Sequence, residues 1–107
     1  MTVDTMTLTS VINRCFEFST DGGLSDQRRT EFLVHGKRLR GHLMNLLSAQ
    51  FDEDTDVVVD ANKKLKEVNR ELADSAAAFE RAATTLNNIA ELVGSLDKLL
   101  NVAVSFL

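Results

Sequence analysis

Apolar residues recur at helical spacing in three stretches of the chain. Between about residues 5 and 18, Leu8, Val11, Ile12, Cys15 and Phe16 fall at i, i+3, i+4, i+7 and i+8, one stripe of an amphipathic helix. From a Ser25 cap to about residue 50, Phe32, Leu39, Leu43, Leu46 and Leu47 share one arc of a second helix. Gly36 and Gly41 each lower its propensity by about 1 kcal/mol relative to Ala. Beyond residue 56 the pattern lengthens. Alternating steps of three and four from Val58 meet Ala61, Leu65, Val68, Leu72, Ser75, Phe79, Ala82, Leu86, Ile89, Val93, Leu96, Leu100, Ala103 and Leu107, fourteen of the fifteen being apolar. This heptad seam predicts one long helix over about 56–104, bent, if anywhere, at Gly94-Ser95.

Two breaks separate the stretches. Ser19-Thr20-Asp21-Gly22-Gly23 offers paired glycines for the positive-φ geometry that ends a helix. Asp52-Glu53-Asp54-Thr55-Asp56 suits a helix N-terminus, with Asp54 or Thr55 as its cap. The expected fold is all-α: one helical domain over 1–107, residues 1–4 disordered, built as an elongated hairpin or bundle of three helices at about 5–18, 25–50 and 56–104.

A fifty-residue helix extends about 75 Å, and the second helix, in an antiparallel hairpin through the acidic turn, covers only its first half. Small residues Ala76, Ala77, Ala78, Ala82 and Ala83, then a wide apolar stripe, make up the rest. The expected interaction surface is therefore Phe79, Leu86, Ile89, Leu92, Val93, Leu96, Leu99, Leu100 and Phe106, covered by a second copy, most simply in a homodimer, or by another helical protein.

Composition narrows the functional classes. The chain has 107 residues, no proline, tryptophan or tyrosine, and five glycines, too little turn chemistry for an all-β fold. A single cysteine, Cys15, excludes an internal disulfide and points to the reducing cytoplasm. No signal-peptide pattern or membrane-spanning run is present, although signal-less export stays open. Net charge is −4, unevenly placed: −2 over residues 1–24, +3 over 25–51 and −5 over 52–107. A basic middle helix beside an acidic long one suits mutual attraction better than nucleic acid.

Candidate chemistry is sparse. His35 and His42 lie two helical turns apart, about 10.5 Å, too far to share a metal. With Glu31 and Arg38 they read as i, i+3 and i, i+4 neighbours edging the apolar face. Asp52, Asp54, Asp56 and Asp60 match four places of a calcium loop, but Val57 replaces its turn glycine and Lys63 its closing glutamate, so an acidic helix start is preferred. Arg28, Arg29, Lys37, Arg38 and Arg40 make no clean stripe and have no aromatic platform for bases. Cys15 reads as a buried, inert thiol, and Ser75 as a packing or register residue. No phosphate loop, zinc spacing or nucleophile elbow occurs.

The expectation is a non-enzymatic helical assembly or adaptor protein, needing no cofactor or metal, that acts by burying heptad side chains against a partner. The alternatives are a helical-hairpin effector or substrate of a signal-less export machine, or its partner, and a small nucleic-acid regulator using the basic helix 25–50.

Overall fold

The computed structural model describes residues 3–48 and 56–104, and among them regular structure is all helix: α1 (Thr5–Ser19), α2 (Asp26–Ser48), α3 (Asp56–Ala73), α4 (Ser75–Glu80) and α5 (Ala82–Val104). Asp4 caps α1. Its carboxylate accepts from the Thr7 backbone N–H at 3.0 Å and the Thr7 hydroxyl at 2.6 Å, satisfying a donor the helix leaves open. The bond from the Thr7 hydroxyl, then that from its N–H, hold the Asp4 carboxyl below its usual pKa. The Asp4 N–H donates to Asn62 Oδ1 at 2.8 Å, and Val3 is buried. Residues 3 and 4, expected to be disordered, are thus packed; residues 1 and 2 lie outside the described ones.

The first break forms where expected but by a different route. No described residue, glycine included, has a positive φ. Asp21 Oδ1 instead accepts the Gly23 N–H at 2.8 Å, and Ser25 Oγ accepts the Arg28 N–H at 3.2 Å to start α2. The tight neighbour of Gly23 is that same Asp21 carboxylate: a Cβ there would come 3.1 Å from Asp21 Oδ1, and only into ordinary contact, 3.4 Å, with the Phe79 ring.

The long rod of the heptad seam does not form. The chain passes straight through Gly94 within α5 and breaks instead at Asp74 and Arg81, on either side of α4. Two side chains explain the position. Arg14 Nη1 donates to the Leu72 carbonyl at 3.3 Å, a cation on one of the last open carbonyls of α3. Asp74 then accepts the Ala77 N–H at 3.2 Å and caps α4. Three helices become five, and α5 returns along α3.

Polar residues bordering the seam fix the packing. Asn62 and, through the Ser10 hydroxyl at 3.0 Å, Asn69 bind α3 to α1, and the rising numbers on both helices make them parallel. On the other flank Lys64 Nζ donates to Ser95 Oγ at 3.0 Å and Asn88 Nδ2 to Glu71 Oε1 at 2.7 Å, so α3 and α5 are antiparallel. α1 packs antiparallel on α2, and α2 packs on α5. α2 and α3 stand at opposite corners of this four-cornered bundle, with no close backbone approach among the described residues, so the expected hairpin between them is absent. Residues 49–55, including the proposed Asp54 or Thr55 cap, lie outside the described ones. The bundle measures 44 × 19 × 19 Å, far shorter than the rod of about 75 Å.

Its core runs the full length. Leu8, Val11, Ile12, Cys15 and Phe18 of α1 meet Phe32, Leu39 and Leu46 of α2, Val58, Ala61, Leu65, Val68 and Leu72 of α3, and Leu86, Ile89, Leu92, Val93, Leu96 and Leu99 of α5. Phe18, not Phe16, is the fully inward aromatic of α1; Phe16 is half-buried beneath Arg40, whose guanidinium lies 5.5 Å from the ring centre.

The helical glycines differ in what surrounds them. A Cβ at Gly36 would meet Phe16 Cε1 at 3.0 Å and Cys15 Cβ at 3.3 Å, so this glycine lets α2 approach α1. At Gly41 and Gly94 nothing lies within 4 Å. Gly41→Ala should therefore stabilise the fold by about 1 kcal/mol through helix propensity alone, read as a higher urea midpoint at unchanged slope. Gly36→Leu should do the opposite, losing about 2 kcal/mol to overpacking.

Candidate functional site

The residues expected to form an interaction surface are mostly inside the chain's own bundle. Leu86, Ile89, Leu92, Val93, Leu96 and Leu99 are buried, while Phe79 and Leu100 are half-buried and pack on the core. Phe106 lies outside the described residues. The physical reason is the turn at Asp74–Arg81: once α5 folds back, α2 and α3 cover the stripe that in a straight rod would face water. Lack of cover no longer argues for a second copy.

Cations of α2 are largely committed within the chain. Arg28 pairs with Glu31 at 3.3 Å, Arg29 with Asp26, and Arg38 reaches Asp97 of α5 at 3.5 Å. His42 Nε2 lies 2.7 Å from the other Asp97 oxygen but without the alignment of a hydrogen bond, so Arg38 carries the ion pair between α2 and α5. This is the salt-linked helix contact expected from the charge distribution.

His35 stays apart from that link. Its Nδ1 is buried without a hydrogen-bond partner, and burial first, then the Arg38 charge, lower its pKa against an opposing pull from Glu31. Because the folded value lies below the unfolded one, the stability tied to a neutral His35 is complete above the unfolded pKa of about 6.5 and is lost as pH falls toward the folded value. His35→Leu should lose less stability than the parent between about pH 7 and pH 5, measured by denaturant midpoints.

Cys15 has no exposed surface, and burial pushes its thiol up to about 12. A maleimide should label it only as fast as the bundle opens, so native-state labelling rates should track the unfolding equilibrium across urea concentrations. Of the calcium-like carboxylates, Asp52 and Asp54 lie outside the described residues, and Asp60 pairs with Lys64 at 3.2 Å. Among the described residues no group of three metal-ligating side chains occurs. Ser75 opens α4. A cleft of about 130 Å³ at the α3–α4–α5 corner is lined by Arg70, Glu71, Asp74 and Arg81 among others, smaller than the roughly 300–1,000 Å³ common for ligand sites.

The surface that sequence reasoning missed is the outward side of α2. Leu33, Val34, Met44 and Leu47 are 36%, 48%, 65% and 66% exposed, four of the six large exposed apolar residues on the described chain. Lys37, Arg40 and Gly41 lie exposed among them. Each apolar residue but Val34 directly follows an inward one, in Phe32-Leu33, Leu43-Met44 and Leu46-Leu47. One residue turns a helix by about 100°, which carries the second of each pair from the core edge toward solvent. That is why Leu47, assigned by spacing to the inner arc, faces out. The doubled apolar pairs were the available signal.

No protein-family model, curated protein sequence or solved structure matches this chain. Among the described residues no helix is long and apolar enough to cross a membrane.

Proposed function

We propose that the protein is a non-enzymatic helical interaction module, an adaptor or assembly protein of the cytoplasm, whose contact surface is the outward face of α2. The supporting observation is the concentration of exposed Leu33, Val34, Met44 and Leu47 on one helix whose opposite side is already in the core. A bundle that needed only to fold would gain nothing from these side chains in water, whereas a contact surface gains from burying them. The fully buried thiol of Cys15 fits a role in binding better than one in chemistry.

The test places a photo-crosslinking side chain at Leu47, and separately at Asn87 on the exposed face of α5, in the full chain in its native cell. A discrete adduct from position 47 and none from 87 is the expected result, and its mass tells a second copy from another protein. Equal adducts from both positions, or none from either, would overturn the proposal.

A further inference from the structure

We infer that the α2 face takes an acidic amphipathic helix of another protein, laid along the exposed row that passes Gly41; this rests on the interaction-module reading and adds the chemistry of the partner. Leu33, Lys37, Arg40, Met44 and Leu47 follow one another at steps of four, three, four and three, a heptad row on the solvent side of a helix. Its length is about 21 Å, enough for four turns of a facing helix to set side chains between its ridges.

The middle of this row is cationic. Lys37 and Arg40 are exposed, and Arg40 is held over the Phe16 ring. The one carboxylate on the same arc, Asp26, lies at the far end and pairs with Arg29. A partner must therefore supply carboxylates opposite the centre and apolar side chains opposite its ends. Gly41 adds shape: with nothing within 4 Å of its missing Cβ, it leaves a notch beside Lys37 and Met44 that a knob or the backbone of a rigid helix can enter.

Other occupants fit less well. A second copy on a two-fold axis would set the Lys37 and Arg40 of one α2 against those of the other. An anionic membrane would meet two cations and no Trp or Tyr on a chain of net charge −4, and fluid lipid gains nothing from a notch.

The experiment uses the full chain and two fluorescent helical peptides with the same Leu/Ala stripe, one flanked by Glu and one by Lys, together with phosphatidylserine vesicles. Anisotropy should show binding of the Glu peptide, weakened by salt, and none of the Lys peptide or the vesicles. Lys37→Glu with Arg40→Glu should weaken binding by about tenfold or more. Gly41→Leu should do the same while melting no lower than the parent, since it fills open space on a helix. Equal binding of the two peptides, no binding of the Glu peptide, vesicle binding in its place, or indifference to both variants overturns the inference. Should crosslinks from position 47 persist in that case, the interaction face stands and only the acidic-helix chemistry falls; should they vanish too, both fall.

Discussion

Phe18→Ala is expected to lower the unfolding free energy by about 4 kcal/mol. Phe18 is 3% exposed and stands edge-on to two rings, Phe32 at 5.1 Å and Phe79 at 5.1 Å between centroids. Phe32 belongs to α2 and Phe79 to α4, so one side chain of α1 ties the first hairpin to the corner that reverses the second. Removing it leaves a cavity and takes two aromatic contacts worth about 1 kcal/mol each beyond burial. Against a total of about 5–15 kcal/mol for a domain, little reserve remains. Urea titration gives the loss, and amide exchange gives its location: protection should fall first in α4 and the start of α5. A loss under about 1.5 kcal/mol, the cost of a tolerated core swap, would show that the corner is held by something else.

That corner is also where the sequence misleads. The heptad row was legible, and its positions do face inward: Val58, Ala61, Leu65, Val68 and Leu72 on α3, then Ala82, Leu86, Ile89, Val93 and Leu96 on α5 are all buried. Periodicity reports which side of a helix is inside and is silent on whether the axis has turned around. Because the six residues of α4 keep the phase across two breaks, the row looks continuous through a reversal. The deciding interactions are a local cap, Asp74 onto Ala77, and a contact 58 residues apart in sequence, Arg14 onto Leu72. The first is one Asp-Ser step beside an alanine run, easily outweighed by the helix propensity of that run. The second cannot be read from spacing at all.

The polar borders of the seam were similarly half legible. Asn62, Lys64, Asn69 and Glu71 stand in the sequence as polar residues beside the apolar row, and each carries a hydrogen bond to a neighbouring helix or its cap. Which neighbour depended on the reversal. The candidate surface was hidden for a different reason: α2 is apolar on two sides, so choosing its core arc from spacing absorbed Leu47 into the interior and left Leu33, Val34 and Met44 without a role. Once the bundle shows which side of α2 is closed, the exposed apolar residues on the other side stand out.

Leu96→Ala and Leu47→Ala separate the inside of this molecule from its outside. Leu96 has no exposed surface and lies in the middle of α5 between α2 and α3. Truncating it should cost about 3 kcal/mol through lost burial and the cavity left behind. The loss should be the same at low and high protein concentration, because the contacts that vanish are within one chain. Had the α5 stripe been a seam between copies, the loss would grow on dilution as mass action favours separation. Leu47, 66% exposed, should tolerate alanine with a change below about 0.5 kcal/mol in the isolated protein. The same substitution should weaken capture of whatever α2 binds. A stability loss at Leu47 as large as that at Leu96 would mean that α2 is turned the other way, and the proposed contact face would move with it.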